Sequence, residues 1–331
     1  MRTIPMFAAG ALAVATLALA GCSSDTAADD ATTVATSATS NDPTSLVLAL
    51  VPSQDQDGLV DTAAPLTEFL SQELGIEVTG VVSKDYQAAV EAMGAGQAQI
   101  GFLPSTQLLQ AQDMYEAHIV LQTARSGAVS YASQFMTNNP DKYCDDTPVD
   151  VDGKLYCNGT DVNGVGPAGL EALSKMGNGE TVAVLGAGSP AGYQYPMVAM
   201  QNAGIDTDKD IQQVPVTAND ASVLAVYNGD AEVGFSFWDA RNIISADEAP
   251  DLGQKVVVFA LTDMIPNDGV ALSDDLSQEL RDRITDALDH FADTEAGAEA
   301  LGAIYSISDL APADLDALEG ARTVTEQLGL N

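Results

Sequence analysis

Apolar residues fall along this chain in two alternating periods. Residues 46–51 form a continuous apolar run, the pattern of a parallel strand buried on both faces. Residues 65–74 carry apolar positions at helical spacing and stop at Gly75. A strand at 76–82, a helix at 86–93 and a strand at 99–103 follow, then a helix after Pro104 and a strand at 118–122. The pattern restarts with a strand at 181–185, a glycine-rich turn and a helix over about 193–202. Next come a strand at 211–214, a helix at 221–227 and a strand at 231–237. Residues 255–261 are another strand, and the region from Asp274 onward is predicted helical. Strands alternating with helices predict an α/β protein with parallel sheets. Two such blocks with an insertion between them predict two lobes. In open α/β sheets ligands sit beyond the carboxyl ends of the strands, so the loops after the strands are where chemistry is expected.

The first residues break this pattern. Arg2 precedes an apolar stretch from 4 to 20 that ends in Leu19-Ala20-Gly21-Cys22. A positive start followed by a short apolar run is an export signal and is too short for a comfortable membrane span. The same run would serve an ordinary secretory signal. Small residues ending directly at a cysteine match a lipobox, giving a signal peptide at 1–21 and a Cys22 thiol that carries the lipid. Residues 22–44 are then the acylated cysteine and a linker rich in Ser, Thr, Ala and Asp, which cannot bury enough apolar surface to order itself. No later segment is apolar enough to cross a bilayer. The expectation is an extracytoplasmic protein anchored by lipid, with no other membrane contact.

Charge narrows the partners. With 48 acidic and 12 basic residues the net charge is −36, a surface that repels nucleic acid and anionic lipid. An anionic ligand would need local donors that outweigh this field. After Cys22 only Cys144 and Cys157 remain, an even pair in an exported chain, which predicts a disulfide closing an insertion at 141–160. A loop of this size contributes roughly 3 kcal/mol in the chain-entropy view. His118 and His290 are the only histidines, and neither lies near the cysteines, so neither a metal centre nor a cofactor is expected. No nucleophile elbow, HExxH or phosphate-loop lysine is present, so an enzyme is not expected.

The most informative loop is 186–193, Gly-Ala-Gly-Ser-Pro-Ala-Gly-Tyr, between a strand and a helix. Glycines let backbone approach a ligand, and the first amides of a helix point outward at its positive end, which suits an anion. A plain N-cap with Pro190 near the first helical position explains the same residues.

Other segments supply a resemblance. Lys84-Asp85-Tyr86 with the helix to Met93, Gln99 through Ser105, Ser189-Pro190-Ala191-Gly192-Tyr193 with Pro196, Asn219-Asp220-Ala221 with Val226, Asp239-Ala240-Arg241, and Ile265-Pro266-Asn267-Asp268 occur in that order. In this they resemble the phosphate, phosphite and phosphonate-binding (PhnD-like) solute-binding proteins of ABC importers. The resemblance implies a type II periplasmic-binding-protein clamshell, each lobe holding a central, mostly parallel sheet flanked by helices. Lobe 1 is expected at 45–127 plus 240–331, and lobe 2 at 128–239. It implies a monomer that closes on a small phosphorus oxyanion and delivers it to an ABC permease; a different small solute on the same fold is the alternative. Ligand contacts are implied at Tyr86, Ser105, Tyr131, Ser189, Pro190, Ala191, Gly192, Tyr193, Asn219, Asp220, Asp239 and Asp268. Ser189 and the amides of Ala191 and Gly192 would cradle oxygens, while Asp239 and Asp268 would accept hydrogen bonds from a proton or an amine on the ligand. Two departures stand out: Pro190 and Ala191 replace hydroxyl residues, and Asn219 stands where histidine is usual.

Overall fold

The structure, a computed structural model, describes residues 42–53 and 58–330. The export signal, Cys22 and the linker up to residue 41 lie outside the described residues. The linker expected to run to residue 44 ends sooner, because both Asp42 carboxylate oxygens accept hydrogen bonds from the backbone N–H and hydroxyl of Ser277, at 2.7 Å each.

Two mixed sheets organise the chain. In the first, β1 (Ser45–Leu50) pairs in parallel with β2 (Glu77–Val82) and β3 (Ile100–Leu103). Helix α1 (Leu59–Leu74) returns the chain from β1 to β2, starting earlier than the Pro65 signal predicts, and ends at Gly75 in the left-handed region. Helices α2 (Tyr86–Gly94) and α3 (Ser105–Tyr115) make the next crossings. Strand β4 (His118–Ala124) then leads out of the lobe. Apolar side chains of β1, α1, β3 and the C-terminal helices α8 (Gln278–Ala292) and α9 (Glu295–Tyr305) form one core.

The second sheet opens with β5 (Ser130–Thr137). The short helix α4 (Pro140–Tyr143) and the hairpin β6 (Val149–Val151) and β7 (Lys154–Tyr156) follow. Cys144 and Cys157 are bonded, with Cα atoms 5.6 Å apart, and close this hairpin. β8 (Glu180–Val184), α5 (Tyr195–Asn202), β9 (Ile211–Pro215), α6 (Asn219–Asn228) and β10 (Val233–Phe237) repeat the strand-helix alternation, with β8 parallel to both β9 and β10. After the short helix α7 (Leu252–Lys255), β11 (Val257–Pro266) pairs antiparallel with β5.

That pairing corrects the expected lobe boundary. Residues 240–266 belong with the second sheet, and the chain returns to the first only at β12 (Gly269–Leu272), which lies antiparallel between β3 and β4. The two crossings, 125–129 and 267–268, run side by side. Asn267 ties them, donating through Nδ2 to the carbonyls of Thr123 (2.8 Å) and Ala128 (2.9 Å). The expected all-helical C-terminus contains the edge strand β13 (Asp309–Pro312). Helix α10 (Leu315–Leu328) then packs on α3 of one lobe and on α5 and β11 of the other. Among the described residues no helix is long and apolar enough to cross a membrane.

Candidate ligand-binding cleft

Between the lobes lies a cavity of ≈ 370 Å³. Its floor is the pair of crossings and its walls are the ends of strands from both sheets. Tyr86 begins α2, Pro104 caps α3, Ser189 caps the turn that runs into α5, and Asn219 begins α6. All of them line the cavity. Each sits just past the carboxyl end of a strand, so several helix amino ends, with outward N–H groups and positive dipole ends, converge there.

The loop at 186–194 is built for close approach. Ser189 is buried and accepts from Gly192 N–H at 3.0 Å. Pro190 has no N–H. The Ala191 amide sits in the first turn, without an intrahelical acceptor, and lines the cavity. Gly192 contributes no free amide, contrary to expectation: its N–H is spent on Ser189. A Cβ there would lie 2.6 Å from a Leu185 methyl, so packing accounts for this glycine. Gly188 meets the other lobe, where a Cβ would come within 2.5 Å of the Tyr86 Cβ.

Of the other expected contacts, Tyr86 and Tyr131 reach the cavity. Burial pushes the Tyr86 phenol above its ordinary value against the lowering effect of Ser189, and burial raises the Tyr131 phenol as well. Both remain protonated donors near neutrality. Ser105 is fully buried and is not among the residues that line the cavity. Tyr193 packs against the second-lobe core, and Asp220 is likewise absent from the cavity wall.

Asn219 lines the cavity with both ends of its amide engaged. Nδ2 donates to the Ser53 carbonyl of the first lobe at 2.8 Å, and Oδ1 accepts from Ser236 at 2.9 Å. It is a latch across the cleft. Asp239 is also occupied. Arg241 donates to both of its oxygens, the closest contact being 2.7 Å, and the Tyr156 hydroxyl adds another at 2.7 Å. Burial raises the Asp239 pKa, but Arg241 and Tyr156 outweigh it and hold the carboxyl below its usual range. It has no oxygen left for an amine.

Asp268 pairs through Oδ2 with Nη2 of Arg125 at 2.5 Å. Arg125, which the sequence reading missed, is the one lysine or arginine on the cavity wall among the described residues. Its Nε donates to the Tyr305 carbonyl at 2.9 Å, and its guanidinium lies 5.9 Å from the Tyr131 ring centre. A lone cation at the end of a strand, in a chain with only 12 basic residues, was a signal that could have found it. The segment just after the insertion also reaches the site. Asn163 and Gly164 line the cavity, and the Trp238 indole lies so close to Gly164 that a Cβ there would be 2.7 Å from the ring. His118 pairs with Asp274 and His290 packs on Phe69, neither of them on the cavity wall. Among the described residues no cluster suits a metal ion.

The wall thus combines protonated phenols, helix amino ends from both lobes and one guanidinium, a set that suits a small oxyanion. Residues 48–318 match the family model for the periplasmic phosphonate substrate-binding protein of ABC transporters. The chain belongs to this family. The phosphate-import protein PhnD of Mycolicibacterium smegmatis is 26% identical over 256 residues, covering 73% of this chain and 70% of that protein. The phosphonates-binding periplasmic protein of Escherichia coli is 21% identical over 261 residues, covering 78% and 70%. Among solved structures, PhnD1 of Prochlorococcus marinus in complex with methylphosphonate superposes with a TM-score of 0.71 at 15% identity, covering 88% of this chain and 100% of that one. This likeness shows the type II periplasmic-binding-protein fold. The family is one of transport components, whose members bind substrates and do not turn them over.

Proposed function

We infer that the protein is the solute-binding lipoprotein of an ABC importer. Anchored outside the cell membrane through Cys22, it captures a small phosphorus oxyanion as a monomer, closes its lobes on it and delivers it to the permease. The observation that carries this reading is the meeting of Arg125, the Ala191 amide and the Tyr86 and Tyr131 phenols in one interlobe cavity. The donors suit tetrahedral oxygens, and their placement on both lobes and the hinge lets a bound anion favour the closed form.

The size of the cavity favours a substituted phosphonate over an inorganic anion. A volume of ≈ 370 Å³ exceeds what a bare oxyanion fills, and Phe237, Trp238 and Ile243 add an apolar wall for a substituent. Titration calorimetry with phosphate, phosphite, methylphosphonate, 2-aminoethylphosphonate and sulfate tests this. A phosphonate should bind best, and Arg125→Gln should weaken it tenfold or more, since a hydrogen bond to a charged group contributes about 1.5–3 kcal/mol. Folded protein that binds no phosphorus compound in the panel would overturn the reading.

A further inference from the structure

A second cavity, of ≈ 390 Å³, lies apart from the ligand cleft and shares no wall residue with it. Three parts of the fold enclose it: α3 of the first lobe, the 187–194 loop of the second, and α10, which packs on both. The two cavities meet where the lobes touch, Tyr86 lining the cleft and Gly188 the second cavity.

Uncharged amides dominate its wall. Gln194 is 2% exposed. Its Nε2 donates to the Ala187 carbonyl at 3.0 Å, which fixes the orientation of the amide, and its buried Oε1 accepts from no group among the described residues. Gln107, 3% exposed, comes from α3 of the other lobe. Its Oε1 accepts from the Thr106 hydroxyl at 3.0 Å. Its Nε2 reaches to within 3.3 Å of where a Gly188 Cβ would stand and has no acceptor among the described residues. Gln87 and Gln110 add two further amides whose side chains have no partner among the described residues. Arg322, the one lysine or arginine on this wall among the described residues, is fully engaged by Asp113 and Glu319, which take all three of its nitrogens. Glu326 is exposed at the edge and adds a negative charge.

These groups set the chemistry of an occupant. An unpaired acceptor and an unpaired donor, supplied by opposite lobes, call for a group that both donates and accepts. A hydroxyl does so. A carboxylate or phosphonate oxygen cannot donate to Gln194 Oε1, and an ammonium cannot accept from Gln107 Nε2. A buried polar atom left unpaired is costly, so a ligand that pairs both gains more than a surface hydrogen bond would give. The cavity has room for several hydroxyls, since one water takes only about 30 Å³ of liquid volume. Leu109, Met114 and Leu330 offer apolar contact to a carbon chain, and no aromatic ring on this wall can stack on a flat sugar or base.

We propose that this cavity is a second binding site, for a small, neutral, acyclic polyol, one hydroxyl of which donates to Gln194 Oε1 and accepts from Gln107 Nε2. Anions are disfavoured because Arg322 is already engaged and Glu326 repels them. The site is separate from oxyanion capture and does not depend on what the cleft binds.

The test is an NMR titration of the purified protein, labelled on its methionine methyl groups, with sorbitol. Gluconate serves as the anionic homologue and glycine betaine as an osmolyte without hydroxyls. Met114 lies on the wall, so its methyl signal, assigned through Met114→Leu, reports occupancy. Sorbitol should shift that signal along a saturating curve, and gluconate should bind at least tenfold more weakly. Glycine betaine should raise the melting temperature without saturation, as an excluded osmolyte does, and leave the Met114 signal unmoved. Gln194→Met removes the acceptor and keeps the length of the side chain, and should weaken sorbitol tenfold or more. A Met114 signal that sorbitol never moves, or gluconate binding as tightly as sorbitol, would overturn the proposal in the unmodified protein, whether or not the variant folds. The cavity would then hold solvent alone.

Discussion

Asn219 and Gly188 close the cleft by opposite means, one by a bond and one by having no side chain. The Asn219 amide spans from α6 to the Ser53 carbonyl, so opening must break a contact that only the closed arrangement offers. A neutral hydrogen bond contributes about 1 kcal/mol. Asn219→Ala is therefore expected to weaken ligand binding severalfold while the thermal midpoint moves by only a degree or two. Calorimetry beside a melting curve separates these effects, and an unchanged dissociation constant would show that the latch does not bias closure. Gly188 carries a stronger expectation. A methyl group there would press on the Tyr86 Cβ at 2.5 Å, a contact that must be relieved by holding the lobes apart. Gly188→Ala should lose affinity by an order of magnitude or more and still fold, because the clash exists only between lobes. The position of Asn219 beside the site was legible from its motif. Its role as a latch was not, because the sequence carries no sign that Ser53, distant in the chain, supplies the acceptor.

At the level of elements, the insertion is bound to the second sheet by ionic links, while its disulfide closes the insertion on itself. Lys142 on α4 bridges Glu180 at 2.7 Å and Glu232 at 2.8 Å, and Tyr143 adds a bond to Glu232 at 2.7 Å. Burial raises both glutamates, yet the Lys142 ammonium outweighs it and leaves them below their ordinary values, as Arg241 does for Asp239. A depressed folded pKa gives stability that is complete above the unfolded value, about 4.3 for Glu and 3.9 for Asp, and is lost as pH falls through the folded value. The melting temperature should therefore be level between about pH 5 and 7 and drop steeply below about pH 4. Lys142→Met should cost more at pH 7 than at pH 3; an equal cost at both would mean the bridge contributes nothing through charge. The strand-helix alternation of both lobes was readable from the sequence because each unit is local: an apolar run, a turn and an amphipathic stretch. The lobe boundary near 240 was not. β11 joins the second sheet by pairing with β5, a long-range choice that no local period records, and the true crossing at Asn267 is marked only by a Pro-Asn pair. Arg125 was missed for a similar reason, since its importance comes from Asp268 and Tyr305, which only the fold brings beside it.

Over the whole molecule, an anionic ligand meets a repulsive exterior and an attractive cleft, and the two act at different ranges. The net charge of −36 is spread over the surface, so its field reaches out by the screening length, about 30 Å at 0.01 M salt and 8 Å at 0.15 M. The helix amino ends and Arg125 act at contact distance, where salt screens little. Association is governed by the long-range field and dissociation by the contacts. The usual salt dependence of an anion-binding protein should thus be reversed: raising salt should speed capture severalfold and change the release rate little, so affinity improves over this range. The chain contains a single tryptophan, Trp238, and it lines the cavity, which gives stopped-flow fluorescence a reporter at the site. A capture rate that falls with salt would mean that the positive cleft governs the approach even from a distance. The acidic exterior would then be irrelevant to uptake. A rate that rises would explain how so acidic a protein serves an anion, with its selectivity held in the few donors at the floor of the cleft and its surface charge left free for other demands such as solubility.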